Sequence, residues 1–192
     1  MKIVTDTAAD LPAEEARSLN ISVAPLFIQF PEGEVNSNDI TADEFYQRLK
    51  AMEPNIPTTA QPSEKIFSDL YEKVAQKGEE IISIHISSGL SGTINAARLA
   101  ARQMTDRLVH IVDTMTLSGA ERFQVLAAAR ALQNGWNVQQ VMRRLEEVRS
   151  KTEIIYTLET LKYLARGGRI GRVQALAGSL LNIKPIIHVE HS

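Results

Sequence analysis

Residues 81–93 read IISIHISSGLSGT, and this stretch decides the fold. Residues 81–87 are almost continuously apolar or β-branched, which is the mark of a strand buried on both faces of a parallel sheet, so helices must cover both sides. Gly89 and Gly92 break that strand, and the alanine-rich segment 93–104 predicts a helix. Strand, glycine-rich turn and helix together form the repeating unit of an α/β fold.

The same unit recurs on either side. Upstream, the β-branched run 2–5 ends in Asp6-Thr7, and 13–19, opened by Pro12, predicts a helix. Downstream, 108–112 predicts a buried strand, 113–119 a loop, and the helix after it closes near Asn134-Gly135. Between these units, 22–30 is one apolar run. Thr41 with Glu44 three residues later makes a capping box ahead of a helix. Residues 54–63, with Pro54, Pro57 and Pro62, predict an extended surface loop. Ser63 caps a helix to about 76, with Gly78 at a termination position. Asn137 caps an amphipathic helix to about 149 that places Val138, Val141, Met142, Leu145 and Val148 on one face. Beyond it the pattern changes to a strand over 153–157, a short helix over 159–165, a basic glycine turn, a helix to about 181 and a strand over 183–189. A boundary near Ser150 divides a large α/β domain, 1–150, from the start of a smaller, incomplete α+β domain, 151–192.

Composition narrows the function. The 192 residues are 44% apolar, enough for a sizeable core, and no apolar run approaches the roughly 20 residues that span a bilayer. Met1 leads directly into a strand-like stretch rather than a signal peptide, so a cytoplasmic location is expected. The absence of cysteine excludes disulfides, thiolate metal sites and cysteine nucleophiles. With 21 basic and 23 acidic residues, the net charge of −2 supplies no general attraction for nucleic acid or anionic membranes.

The turn Ser87-Ser88-Gly89-Leu90-Ser91-Gly92-Thr93 lies where ligands bind in open α/β sheets, and the free N–H groups at the helix start favour an anion. Serines that merely cap the helix explain the same spacing. Phosphate, sulfate and carboxylate all remain open as ligands, although neither familiar nucleotide-binding loop is present. Thr58 and Thr59, stiffened by flanking prolines, are a second candidate; hydrogen bonding within their own loop is the plainer account. Ser91 as a nucleophile needs a base, and His85 and His110 fall in predicted core strands while His188 and His191 lie at the chain end. The turn also departs from the Gly-x-Ser-x-Gly elbow, since Gly92 follows Ser91 immediately. Asp6, Asp10 and Asp113 follow strands and read as turn residues rather than metal ligands. Arg166-Gly167-Gly168-Arg169-Ile170-Gly171-Arg172 reads either as a helix-ending turn or as an anion or partner contact.

Five ordered segments together resemble the DegV family. They are 3–12 (IVTDTAADLP), 57–63 (PTTAQPS), 84–93 (IHISSGLSGT), 157–170 (TLETLKYLARGGRI) and 180–186 (LLNIKPI). The resemblance implies a DegV-type fold, related to that of dihydroxyacetone kinases. Also implied is a long-chain fatty acid whose carboxylate is held by Thr59 and by Ser91 beside Gly92, with Thr58, Ser88, Ser118 and Arg169 as further contacts. It implies a carrier without cofactor, metal or catalysis of its own, presenting the lipid to a dihydroxyacetone-kinase-like fatty acid kinase that phosphorylates the carboxylate, with transient membrane-surface contact. Two alternatives stand beside it: a serine-dependent acyl ester hydrolase, and a regulatory protein docking through Arg166, Arg169 and Arg172. Family members are longer and place a carboxylate-binding histidine further along, so this sequence is read as C-terminally shortened. Ser118-Gly119-Ala120 lacks a second glycine common in the family.

Overall fold

In the computed structural model, residues 1–170 and 184–189 are described. At the centre is a four-stranded parallel sheet of β1 (Lys2–Asp6), β2 (Ile21–Ala24), β6 (Glu80–His85) and β7 (Leu108–Asp113), in the order β2-β1-β6-β7. Helices cover both faces, as the β-branched run at 81–87 requires. Side chains alternate across β6, so Ile82 and Ile84 meet one layer and Ile81, Ser83 and His85 the other. The first layer comprises α1 (Ala13–Ser18), α5 (Ser118–Gln133) and α6 (Val138–Ser150), which bury Ala16, Val125, Ala128, Val141 and Leu145 against Ile3, Ile82 and Ile84. The second comprises α3 (Glu64–Val74) and α4 (Thr93–Gln103), which bury Phe67, Tyr71, Ala96, Ala97 and Ala100 against Val4 and Ile81.

Capping chemistry sets the helix starts. Thr41 Oγ1 accepts the Glu44 N–H ahead of α2 (Ala42–Ala51), and Ser63 Oγ accepts the Ile66 N–H ahead of α3. Asn137 and Gln140 exchange both bonds of a capping box at α6. Gly135 closes α5 with φ +75, a conformation glycine adopts without a Cβ clash.

Four expectations require correction. The apolar run 22–30 splits at Pro25, which cannot donate within a central strand, into β2 and β3 (Phe27–Phe30). These belong to different sheets. Secondly, the segment 54–63 is not wholly loop: Thr58–Ala60 forms β5, the outer strand of an antiparallel sheet ordered β4-β3-β5, with β4 at Gly33–Asn36. Thirdly, β7 is an edge strand rather than a buried one. Leu108 is exposed there, and His110 Nε2 meets Glu80 Oε2 at 2.6 Å instead of lying in the core. Finally, α3 stops at Val74, so Gly78 (φ +82) serves the turn into β6 rather than the helix end.

After α6, β8 (Ile154–Thr157) pairs antiparallel with β9 (Ile186–Val189) in a separate two-stranded sheet, and α7 (Lys162–Arg166) lies between them in sequence. The anticipated helix to 181 falls largely outside the described residues, as do Gly171, Arg172, the start of the strand expected at 183, and His191.

Candidate functional site

The strand order reverses direction between β1 and β6, because β1 is followed by β2 on one side while β6 is followed by β7 on the other. Such a switch point opens a crevice at the carboxyl ends of the strands. Both strands deliver candidate residues there, β1 through Asp6-Thr7 and β6 through 87–92.

Two aspartates shape the exit from β6. Asp6 Oδ2 accepts the Ile86 N–H at 3.2 Å and faces His85 Nδ1 at 3.0 Å, while Oδ1 accepts the Ala8 N–H at 2.9 Å. From the other neighbouring strand, Asp113 Oδ1 accepts the N–H of Ser88 at 3.2 Å and that of Met115 at 3.0 Å. The segment 86–88 is thereby gripped from both sides. These carboxylates are spent on backbone, which fits their reading as turn residues, and no cluster able to hold a metal ion exists among the described residues.

Within the turn, Ser87 Oγ accepts the Gly89 N–H, and the Ser87 carbonyl accepts those of Leu90 and Ser91. Ser91 Oγ accepts the Thr93 N–H at 3.3 Å and lies 2.8 Å from Thr93 Oγ1. Either hydroxyl of this pair can donate, and in the arrangement in which Thr93 donates the Ser91 proton is left to point outward. Ser91 thus caps the first N–H of α4, the Gly92 carbonyl accepts those of Asn95 and Ala96, and the helix start keeps the dipole that favours an anion.

The threonine loop meets this turn through Gln61. A Cβ built on Gly92 would stand 2.0 Å from Gln61 Oε1, so the Gln61 carboxamide lies directly on the Gly92 Cα. Gly92 has φ −77, and its need for glycine is therefore space rather than backbone geometry. Strand alternation then separates the two threonines. Gln61 stands one residue past the end of β5, and within the strand Thr58 faces away from Thr59. There Thr58 lines a cleft of about 630 Å³ with Phe30, Met52, Ile56 and Arg166.

The remaining candidates divide similarly. Arg169 is exposed, and its Nε donates to the Leu90 carbonyl at 3.5 Å, which brings it to the turn. Arg166 donates to the Pro54 carbonyl at 2.5 Å, on the cleft side. Ser88 is exposed beside the turn. Ser118 Oγ donates to Asp10 Oδ2 at 2.5 Å, so its hydroxyl is engaged.

Two buried features lie behind the site; His85 is the satisfied core histidine expected of its strand, although its partners were not anticipated. His85 belongs to a buried chain: its Nε2 lies 2.6 Å from Ser83 Oγ, which lies 2.8 Å from the Tyr71 hydroxyl. Asp6, His85 and Ser83 have the connectivity of a hydrolytic triad, yet all are fully buried and Ser83 is shared with Tyr71. No substrate reaches that serine, and both His85 ring nitrogens are occupied, so His85 is no base for Ser91. The second feature is Glu121, fully buried in α5. Its Oε1 accepts from Thr5 Oγ1 at 3.4 Å and its Oε2 has no partner among the described residues. Burial, then the nearby Asp6 carboxylate, hold its carboxyl well above the ordinary value.

The family model described as "Uncharacterised protein, DegV family" matches residues 1–192. A DegV domain-containing protein of Listeria monocytogenes is 41% identical over 189 residues, which span 97% of this chain and 67% of the relative. A solved structure described as fatty acid binding of a DegV family protein from Thermus thermophilus superposes with a TM-score of 0.90 at 34% identity, covering 99% of this chain and 68% of that one. Another, described as DegV, a fatty acid binding protein from Bacillus subtilis, gives 0.88 at 34% identity, with 98% and 67% covered. The chain thus spans about two thirds of the length of these relatives. The α/β architecture read from the sequence, a parallel sheet flanked by helices, is the one they share.

Proposed function

Because this chain belongs to the DegV family, we propose that it binds a long-chain fatty acid by the carboxylate and serves as a carrier rather than a catalyst. One observation carries the reading. Gln61, one residue past β5, lies on Gly92 of the serine turn, which brings the threonine loop to the start of α4 at the switch point of the sheet. Ser91 and Thr59 each offer a hydroxyl to the carboxylate, Gly92 keeps the approach open, and Arg169 supplies the nearest cation at the turn, with Ser88 beside it. The fatty acid binding described for the relatives in Thermus thermophilus and Bacillus subtilis supports the choice of carboxylate over phosphate or sulfate.

The scale is sufficient. A long acyl tail buried at about 0.8 kcal/mol per CH₂ contributes roughly 10 kcal/mol before the costs of association, so a modest head-group contact suffices for retention. On this reading the carrier works in the cytoplasm and presents the carboxylate, which stays at the strand ends, to a separate kinase for phosphorylation. Residues 1–150 and 151–192 then belong to two domains that enclose the lipid. The separation of the β8-β9 sheet from the other two is consistent with that division.

The test is mass spectrometry of the purified chain, native and after organic extraction. A co-purifying fatty acid is expected, reduced about tenfold by Ser91→Ala or Thr59→Ala, the loss of one charge-assisted hydrogen bond. Extracts carrying no acyl chain above a control protein, together with no uptake of added palmitate, would overturn the reading.

A further inference from the structure

Resting on the fatty-acid reading, we propose that Gln61 is a positioning residue that registers the threonine loop against the serine turn, so that Thr59 and Ser91 address one carboxylate. The two hydroxyls come from different sheets. Thr59 stands on the outer strand of the β4-β3-β5 sheet, and Ser91 follows a central strand of the parallel sheet. Among the described residues no strand pairing joins these sheets; the two-residue link Pro25-Leu26 ties them at one point, and at the site itself their register depends on side-chain contact.

Gln61 supplies that contact. The restriction that Pro62 imposes on the preceding residue holds Gln61 in an extended conformation, and Pro62 itself is buried, so the loop is anchored directly after it. Gln61 stands one residue past β5 and two after Thr59, and its side chain reaches the serine turn. Its carboxamide lies on Gly92, where Oε1, Cδ and Nε2 stand 2.0, 2.9 and 3.1 Å from the position a Cβ would take. Only glycine at 92 admits this approach. The side chain nevertheless makes no hydrogen bond to the described residues, and Gln61 is exposed, so it contributes little to the core. An amide laid flat on a bare Cα at the mouth of an anion site sets the distance between two loops.

The contact can be broken from either side. In Gly92→Ala the new methyl meets the far end of a flexible side chain rather than backbone, so the fold is retained while Gln61 is pushed away. Gln61→Ala removes the same contact from the other partner. Binding of palmitate and of the uncharged hexadecanol to delipidated protein is measured for both variants and for the double variant, with urea unfolding as the check on folding. The expected result is a loss of about tenfold in palmitate affinity for each single variant, with hexadecanol binding changed less than about twofold. The double variant is no weaker than either single one, because both remove one interaction.

Unchanged palmitate affinity in Gln61→Ala overturns the proposal, as do losses that multiply in the double variant. A parallel fall for hexadecanol also overturns it, since that marks general destabilisation of the pocket rather than register at the carboxylate. Failure of the unsubstituted chain to bind palmitate at all is a different outcome: it removes the fatty-acid reading first.

Discussion

The buried chain of Asp6, His85, Ser83 and Tyr71 and the candidate residues Thr59, Gln61, Ser91 and Arg169 draw on similar polar side chains, and Ser83 and His85 of β6 precede Ser91 by only a few residues. In the first, each side chain is fully buried and meets the next at 2.6 to 3.0 Å. In the second, Thr59 and Gln61 are exposed and their side chains make no hydrogen bond among the described residues, and on the proposed reading they wait on a ligand. Accounting for partners separates scaffold from site better than residue identity does, for a satisfied buried network specifies one packing while unspent donors await a ligand.

The largest effect expected is on the closed side of that comparison. Asp6→Ala strands the Ile86 and Ala8 N–H groups and one ring nitrogen of His85, and should lower unfolding stability by about 3 kcal/mol or more in urea denaturation. A loss near zero would mean that the network is ornamental and would erase the contrast with the open site. Glu121→Gln probes the same interior from α5. A carboxyl whose folded value lies above its unfolded one keeps a proton that the unfolded chain has released. Its stabilisation is therefore complete below the ordinary carboxylate range and declines as pH rises above that range toward the raised value. Urea midpoints measured against pH should slope downward across that window for the unsubstituted chain and run flatter for Glu121→Gln; equal slopes would relocate the titrating group. The smallest effect belongs to Thr58→Ala, which should change fatty acid affinity by less than about twofold while Thr59→Ala loses about tenfold, since neighbours on a strand face opposite ways. Equal losses from the two would break the assignment of faces.

Much of this organisation is local in origin and so legible in the chain. The β-branched run at 81–87, the glycines after it and the caps at Thr41, Ser63 and Asn137 act over a few residues, and the structure uses them, except that the capping box expected at Thr41 is half made, because the Glu44 carboxylate pairs with Arg48 instead. What escaped reading depends on distance along the chain. Asp6 and His85 are 79 positions apart, and Thr5 and Glu121 are 116, so no periodicity announces either pair. Glu121 also looks like an ordinary first-turn acid, a position where carboxylates favour the helix dipole. The short strand Thr58–Ala60 was hidden by its prolines, which forbid a central strand but allow an edge. Gly92 was legible as a turn glycine; that it makes room for Gln61 depends on the two sheets meeting.

That edge has a consequence for how the protein behaves in a crowd. On its outer side β5 has no strand neighbour among the described residues, an arrangement that ordinarily invites another chain to add a strand. Here the exposed run is three residues long, with Pro57 before it and Pro62 two places after it, neither carrying an N–H to offer. Growth along the strand is blocked in both directions. The stiffness that holds Thr59 toward its crevice also makes the rim a poor seed for aggregation, and substitutions of Pro57 or Pro62 would trade solubility as well as shape.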